Sequence, residues 1–287
     1  MKWLIFGHHG WIGQQVLEIL KQRYPSDTVI QSDIRVDNEK DLTTVLLAER
    51  PDRVLCLIGR THGESCLTID YLEQPGKILE NIRDNLYAPI TLAIICQRLD
   101  IHLTYMGTGC IFSNDETHNN RGFTEEDIPN YFDSGYSVVK GFTDRLMHLF
   151  EDSVLNVRIR MPITNRDHPR NFISKIIRYE KIINVANSMT VLDDLLPVML
   201  DMAVKKKVGT INLTNPGTIT HNQILDLYRE LVDPSFTYKN CLMSQLRETL
   251  KAGRSNNQLD TTKLESEYPE VPSICNSVTN ILKNWQK

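Results

Sequence analysis

Lys2-Trp3-Leu4-Ile5-Phe6-Gly7-His8-His9-Gly10-Trp11-Ile12-Gly13 is the stretch whose reading decides the fold. A short apolar run leads straight into three glycines spaced GxxGxxG, and an amphipathic segment follows at once, so the order is strand, tight turn, helix. Glycine permits the tight turn and lets backbone amides approach a bound anion, which the positive end of a helix favours. Three glycines alone also fit an ordinary strand-to-helix turn. Their position, beginning at the seventh residue inside a βα unit, points to the pyrophosphate of a dinucleotide.

Outward from this stretch the same rhythm repeats. Apolar runs at Thr28 to Gln31, Arg53 to Ile58, His102 to Met106 and Leu155 to Arg160 read as further strands. Trp11 to Tyr24, Asp41 to Arg50, Lys77 to Leu99 and Gly135 to Phe150 carry apolar residues three and four apart, as buried helix faces do. The alternation predicts an α/β protein with a Rossmann-like, doubly wound parallel sheet. At Met161-Pro162 the pattern breaks, and a polar stretch follows from Thr164 to Asn171. Leu192 to Val204 and Thr210 to Leu213 read as a helix and strand that rejoin the sheet, with later helices at His221 to Leu231, Ser244 to Lys251 and Ser277 to Trp285. The expected division is a dinucleotide-binding domain over 1–160, with 189–213 returning to it. A smaller C-terminal substrate-binding domain takes 161–188 and 214–287.

A chain of 287 residues, 41% hydrophobic and 24% charged, is long enough to bury a substantial core. Its formal charge of -4 supplies no global attraction to nucleic acid or to an anionic membrane. No apolar run approaches the length of a membrane span or of a secretory leader. The six cysteines, Cys56, Cys66, Cys96, Cys110, Cys241 and Cys275, lack CxxC spacing and read as reduced thiols. The expectation is a soluble cytoplasmic protein with no metal site and no nucleic-acid or membrane partner.

Two further segments carry chemistry. The second strand ends in Gln31-Ser32-Asp33-Ile34-Arg35, about 20 residues beyond the glycines, where a ribose-reading residue falls. Arg35 there would hold a 2′-phosphate and favour NADPH, whereas Asp33 or Asp37 would bind a free 2′-hydroxyl and admit NADH. Tyr136 and Lys140 stand four apart, on one face of a predicted helix. A phenol titrates near pH 10, so work near neutrality needs a neighbouring positive charge, which Lys140 supplies.

The glycine pattern, Thr108 and the Tyr136/Lys140 pair resemble the extended short-chain dehydrogenase/reductase family. Within it, Met106-Gly107-Thr108-Gly109-Cys110-Ile111-Phe112, Arg160-Met161-Pro162-Ile163, Asn171-Phe172-Ile173-Ser174-Lys175, Asn187-Ser188-Met189-Thr190 and Arg254-Ser255-Asn256-Asn257 resemble one subgroup nearly end to end. That subgroup comprises bifunctional 3,5-epimerase/4-reductases acting on UDP-4-keto-6-deoxy-D-glucose to complete UDP-L-rhamnose. The dTDP-4-dehydrorhamnose reductases and GDP-fucose synthases are more distantly similar. The 4,6-dehydratases of the superfamily carry acidic residues after the catalytic threonine. Gly109-Cys110 stand there instead, which disfavours a dehydratase. Two departures from the subgroup are His8-His9, where it has Arg-Thr, and the segment from Ser113 to Asn120.

The resemblance implies a division of roles. Thr108 and Tyr136 serve the sugar carbonyl, Lys140 tunes the phenol, and Cys110 and Lys175 move protons at C3 and C5, which of them is acid or base being left open. For the cofactor it implies Gly7, Gly10, Trp11, Ile12, Gly13, Arg35, Gly59, Tyr136, Lys140 and Met161. For the UDP-sugar it implies Asn85, Thr108, Asn171, Arg254 and Asn256. The cofactor is NADPH/NADP, with NADH as the alternative. A separate upstream 4,6-dehydratase supplies the substrate, and a homodimer is one assembly open to the chain. Two competing readings are a reductase without epimerase activity on a dTDP- or GDP-linked 4-keto sugar, and a non-catalytic regulatory subunit that retains the fold.

Overall fold

The structure is a computed structural model, and it describes residues 1–63, 66–118, 121–247 and 250–286. The chain forms two compact units. The first comprises Met1–Thr108, Ser134–Arg158 and Leu196–Ile211, and the second comprises Gly109–Asp133, Ile159–Leu195 and Asn212–Lys287.

The first unit is built on strands β1 (Lys2–Phe6), β2 (Thr28–Ser32), β3 (Arg53–Cys56), β4 (His102–Thr108), β5 (Val154–Ile159) and β7 (Gly209–Asn212). They lie in the order β2-β1-β3-β4-β5-β7, and β1 pairs in parallel with both β2 and β3, as β3 does with β4. Every residue of β3, β4 and β5 is buried, which is why these strands show no clean alternation of apolar and polar residues. Helices α1 (Trp11–Arg23), α2 (Glu39–Glu49), α3 (Ile78–Ile82), α4 (Ala88–Arg98) and α5 (Gly135–Met147) fill the crossovers. One continuous core holds Leu4, Phe6, Leu46, Leu92, Leu103 and Met147. The expected Rossmann-like parallel sheet is present, with the chain order reversing at β1.

The helix expected over Lys77 to Leu99 is interrupted. A π-helical turn over Arg83–Tyr87 separates α3 from α4, and Pro89 lies at the start of α4. Proline has no amide to bond the carbonyl four residues back, which belongs to Asn85. That carbonyl accepts instead from the Thr143 hydroxyl at 2.6 Å. The widened turn brings the fully buried Asn81 and Asn85 side chains together, Asn85 donating to Asn81 at 2.9 Å.

Buried charge in this unit is paired. Arg158 makes two parallel bonds to Asp144, Nε to Oδ1 at 2.9 Å and Nη2 to Oδ2 at 2.7 Å, and Asn156 donates to the same carboxylate at 3.0 Å. Arg53 donates to the Ala203 and Val204 carbonyls at 2.5 and 2.7 Å. These carbonyls end α7 (Leu192–Val204), so the guanidinium caps the negative end of that helix.

The second unit contains α6 (Phe172–Ile176), a two-stranded antiparallel pair of β6 (Ala186–Asn187) and β8 (Ile219–Thr220), α8 (His221–Leu231), α9 (Met243–Arg247), α10 (Thr262–Glu267) and α11 (Ile274–Lys283). Its main core gathers Ile163, Ile173, Val191, Ile224, Val278 and Leu282. The helix α8 starts where Thr220 and Gln223 cap each other, at 3.1 and 2.8 Å. The helix expected over Ser244 to Lys251 is five residues long, Met243–Arg247, and 248–249 lie outside the described residues. That expected over Ser277 to Trp285 begins three residues earlier, because Ser273 caps it by accepting from the Asn276 amide. Among the described residues no helix is long and apolar enough to cross a membrane.

Candidate functional site

In the first unit the crevice is set by topology. The order of strands reverses between β2-β1 and β3-β4, so the segments leaving β1 and β3 diverge to opposite faces at their carboxyl ends, where open α/β sheets hold ligands. Gly7 leaves β1 with φ +83°, and a Cβ built on it would stand 2.7 Å from the Leu57 carbonyl carbon. A Cβ on Gly13 would stand 2.4 Å from the Gly7 oxygen and 2.8 Å from the His8 Cα. Both glycines are therefore required by contact with backbone that cannot swing aside. The N-terminus of α1 has no side-chain cap and no acidic residue in its first turn. Helix geometry aims the first amides outward there, and the macrodipole adds positive charge, so the loop and helix start fit a pyrophosphate.

Around this cradle, Asp33 follows β2 and receives both loop histidines on one oxygen. His9 Nε2 is 2.8 Å and His8 Nε2 3.5 Å from Asp33 Oδ1. Arg35 is engaged by acids, with Nε 3.0 Å from Asp37 and Nη2 3.5 Å from Asp84. The Arg35 guanidinium is the main influence holding the Asp37 carboxyl below its usual range. Asp84 also takes Arg60 at 3.1 Å and Arg83 at 2.8 Å. Gly59 precedes this cluster, and Asn85 grips the residue after it, accepting from the Arg60 amide at 2.9 Å and donating to its carbonyl at 2.8 Å. The Asn85 amide is thus spent on fixing the segment after β3.

Tyr136 and Lys140 lie on the first two turns of α5, 8% and 4% exposed, and Ser134 caps that helix by accepting from the Ser137 amide at 3.1 Å. The Lys140 ammonium donates to the Tyr105 hydroxyl and lies 4.6 Å from the centre of its ring. Burial first, then Cys56, Tyr136 and Asp144, pushes the Tyr105 phenol well up. It therefore keeps its proton while accepting from the lysine. Burial likewise pushes the Cys56 thiol up to about 11, with Lys140 pulling the other way. Thr108 ends β4, 7% exposed.

The second unit holds the other expected residues. Lys175 stands in the last turn of α6 and Cys110 is partly buried. Burial first, then Arg170 and Arg254, lowers the Lys175 ammonium, and Cys110 acts in the opposite direction. Cys110, Lys175 and Arg254 are thereby one electrostatic group, although 144 positions separate the outer two in the chain (254 − 110). Asn171 is fully buried and caps α6, accepting from the Ile173 amide at 3.2 Å and donating to the Thr164 and Arg166 carbonyls at 2.7 and 2.8 Å. Its amide is spent locally. Arg254 donates to the Ala252 carbonyl at 2.8 Å, and Asn256 accepts from Asn187 at 3.0 Å. Met161 adopts φ +40°, a conformation disfavoured for a side-chain-bearing residue.

Sequence reasoning missed three residues that organise these groups. Tyr105 holds Lys140 in the first unit. Arg160, 1% exposed, donates to Asn187 Oδ1, Ser255 O and Asn257 O at 2.7, 2.7 and 3.0 Å in the second. Burial lowers that guanidinium, and the neighbouring Cys110 acts in the opposite direction. Asn257 donates to the Gly109 and Phe112 carbonyls at 2.9 and 2.8 Å, fixing the turn on which Cys110 sits. The sequence carried little local signal for Arg160, since it ends a stretch, Leu155 to Arg160, that already holds Asn156 and Arg158.

This chain belongs to the NAD dependent epimerase/dehydratase family, whose model matches residues 3–198. More narrowly, it is similar to a UDP-rhamnose synthase from Acanthamoeba polyphaga mimivirus, whose solved structure is 52% identical, covers 99% of both chains and has a TM-score of 0.96. A bifunctional dTDP-4-dehydrorhamnose 3,5-epimerase/dTDP-4-dehydrorhamnose reductase of Arabidopsis thaliana is 39% identical over 96% of this chain and 90% of that one. A trifunctional UDP-glucose 4,6-dehydratase/UDP-4-keto-6-deoxy-D-glucose 3,5-epimerase/UDP-4-keto-L-rhamnose-reductase of the same plant is 37% identical over 97% of this chain, which spans 41% of its length.

Proposed function

We propose that this protein is a bifunctional 3,5-epimerase and NADPH-dependent 4-reductase that converts UDP-4-keto-6-deoxy-D-glucose to UDP-L-rhamnose. The observation that carries the reading is that Cys110 and Lys175 both lie in the second unit, Cys110 on a turn that Asn257 fixes through the Gly109 and Phe112 carbonyls and Lys175 in the last turn of α6, where burial lowers its ammonium. A reductase alone has no use for a thiol and an amine poised to exchange protons. The mimivirus and Arabidopsis relatives, alike over nearly the whole chain, support the same reading.

The first unit serves as the dinucleotide-binding part and the second as the substrate-binding part. Backbone at Gly7, Gly10, Trp11, Ile12 and Gly13 would hold the pyrophosphate. Arg35 would read the 2′-phosphate once exchanged from its acidic neighbours, and Gly59, Lys140 and Met161 would serve the remainder of the cofactor. NADPH, when bound, supplies the hydride that reduces C4. Thr108 and Tyr136 donate hydrogen bonds to the sugar O4, first while it carries enolate charge and then, from Tyr136, the proton that completes the alcohol. Tyr105 keeps Lys140 beside that phenol, and the ammonium favours the phenolate left behind.

Protons at C3 and C5 are both α to the C4 ketone, so loss of either sends the C–H electron pair toward O4. Inversion requires one group to take a proton from one face and another to return one to the opposite face. Cys110 and Lys175 perform these two transfers, and a proton passed between them restores the starting state. A lowered ammonium is a readier donor near neutrality, which suits Lys175 to this work. Arg254 and Asn256, with Asn171 shaping their surroundings and Asn85 those of the first unit, hold the UDP-sugar. We further infer a cytoplasmic enzyme that receives its ketone from a separate 4,6-dehydratase.

The test is incubation with UDP-4-keto-6-deoxy-D-glucose and NADPH in deuterated water. Deuterium at C3 and C5 of the product together with NADPH loss is expected. Reduced but undeuterated sugar overturns the epimerase half and leaves a reductase, whereas no turnover with any nucleotide-linked 4-keto sugar overturns both. Cys110→Ala is expected to abolish exchange while a pre-epimerised ketone is still reduced. Equal loss of both activities refutes its assigned role.

A further inference from the structure

The two histidines of the glycine loop have no part in the chemistry above, and their geometry is unusual for an anion-binding turn. The parallel register that sets Phe6 opposite Ser32 brings the residues just beyond both strand ends side by side. His8 and His9 thus arrive next to Asp33 with their Nε2 atoms 3.5 and 2.8 Å from the same carboxylate oxygen, and their rings lie 3.9 Å apart. All three ligating atoms are within 4.8 Å of one another, and among the described residues no other set of three histidine, cysteine or acidic side chains converges in this way. His8 is 3% exposed and its Nδ1 has no hydrogen-bond partner, whereas the His9 and Asp33 side chains are 79% and 77% exposed. One ligand is therefore fixed in the fold and two can adjust.

We propose that His8, His9 and Asp33 form a binding site for a divalent transition-metal ion of the zinc class, and that such an ion and the dinucleotide exclude one another. Around an ion held at about 2.1 Å, tetrahedral ligand atoms stand about 3.4 Å apart, a spacing that the two observed separations bracket. Two imidazoles with one carboxylate select zinc, cobalt, nickel or copper over magnesium and calcium, which prefer all-oxygen sets. Three protein ligands, two of them exposed, leave a coordination position open to water. The His8 Nδ1 lacks the second hydrogen bond that usually orients a metal-bound imidazole, which suits a site that loads and empties. Exclusion follows from position and rests on the dinucleotide reading of the loop. The ion would occupy the Asp33 carboxylate, which follows β2 where a ribose-reading residue falls, and would draw His8 and His9 across the cradle that receives the phosphates.

The experiment uses tag-free, cofactor-free protein titrated with cobalt(II), followed by its visible absorption, with zinc(II) then added to displace it. One ion per chain is expected, with no sulfur-to-metal charge-transfer band and with affinity lowered about tenfold or more in His9→Ala and in Asp33→Asn. Both side chains are largely exposed, so these variants are expected to fold. NADP added to the loaded protein should release the ion. Absence of saturable binding, a thiolate spectrum, or unchanged affinity in His9→Ala overturns the site. An ion and NADP bound together overturn the exclusion. If NADP fails to bind the ion-free protein, the dinucleotide reading falls, while the cobalt titration still decides the metal site.

Discussion

Gly13→Ala tests the reading of the cradle in a way that separates space from backbone freedom. The added methyl would stand 2.4 Å from the Gly7 oxygen and 2.8 Å from the His8 Cα, both backbone atoms of the loop. The first of these is about 1 Å short of ordinary contact, so the loop or the start of α1 must yield by that amount. Overpacking of this kind costs about 1–3 kcal/mol. If the distortion falls on the phosphate cradle, the dinucleotide dissociation constant rises roughly 5- to 150-fold. Gly10→Ala is the matched control, because Gly10 has a negative φ and its added methyl meets one atom, the Gly7 oxygen, at 3.2 Å. Its effect is expected to be about threefold or less, within what a slight shift of one contact absorbs. Affinity is read by NADPH fluorescence titration, with thermal melting to verify that each variant is folded. Wild-type affinity in Gly13→Ala, or a larger loss in Gly10→Ala, refutes the assignment of this turn to the cofactor.

Other perturbations address the scaffold. Asp144→Ala leaves the fully buried Arg158 side chain without its carboxylate, and denaturant unfolding is expected to show a loss of about 3–5 kcal/mol. His221 is buried, and burial first, with Arg160 adding to it and the Val185 carbonyl opposing, lowers it from 6.5 to about 4. The unfolded chain then binds more protons between pH 6.5 and 4, so stability present above this window is lost as pH falls through it, by about 3 kcal/mol in all. Urea midpoints at pH 7 and 4.5 should differ less in His221→Gln than in the wild type, and identical pH dependence would refute the account.

Much of the fold was legible because the sheet is covered on both faces. Strands such as Lys2–Phe6 and Arg53–Cys56 carry apolar residues on both faces, at Trp3 to Phe6 and Val54 to Cys56, and these runs stand out against the amphipathic helices. What escaped was too short to show a period, such as Phe172–Ile176 and Ala186–Asn187, or lay inside a period that continued across it. The π-helical turn is of the latter kind. Apolar spacing runs on through 77–99, and Pro89 was the one printed warning. Among site residues, the glycine loop and the Tyr136/Lys140 pair announce themselves by local spacing. Tyr105 and Arg160 do not, since a tyrosine or arginine within a strand acquires its role from partners 35 and as many as 97 positions away. Asn85 and Asn171 were singled out for the substrate by resemblance, and the bonds their side chains make to backbone groups of their own units could not be read from sequence. Sequence spacing reports which residues are special, not which bonds they spend themselves on.

The arginine that caps α7 has a consequence for synthesis. Arg53 sits in the third strand of the sheet, yet beyond the neighbouring Asp52 carbonyl the groups that satisfy it leave the ribosome 150 residues later. Until then the nascent first half carries a cation at a place destined for the interior, and hydration opposes its closure. The covering of the sheet at the start of β3 therefore has reason to stay open during translation and to seal when Ala203 and Val204 arrive, which makes α7 the closing piece of vectorial folding rather than an appendage to a finished domain.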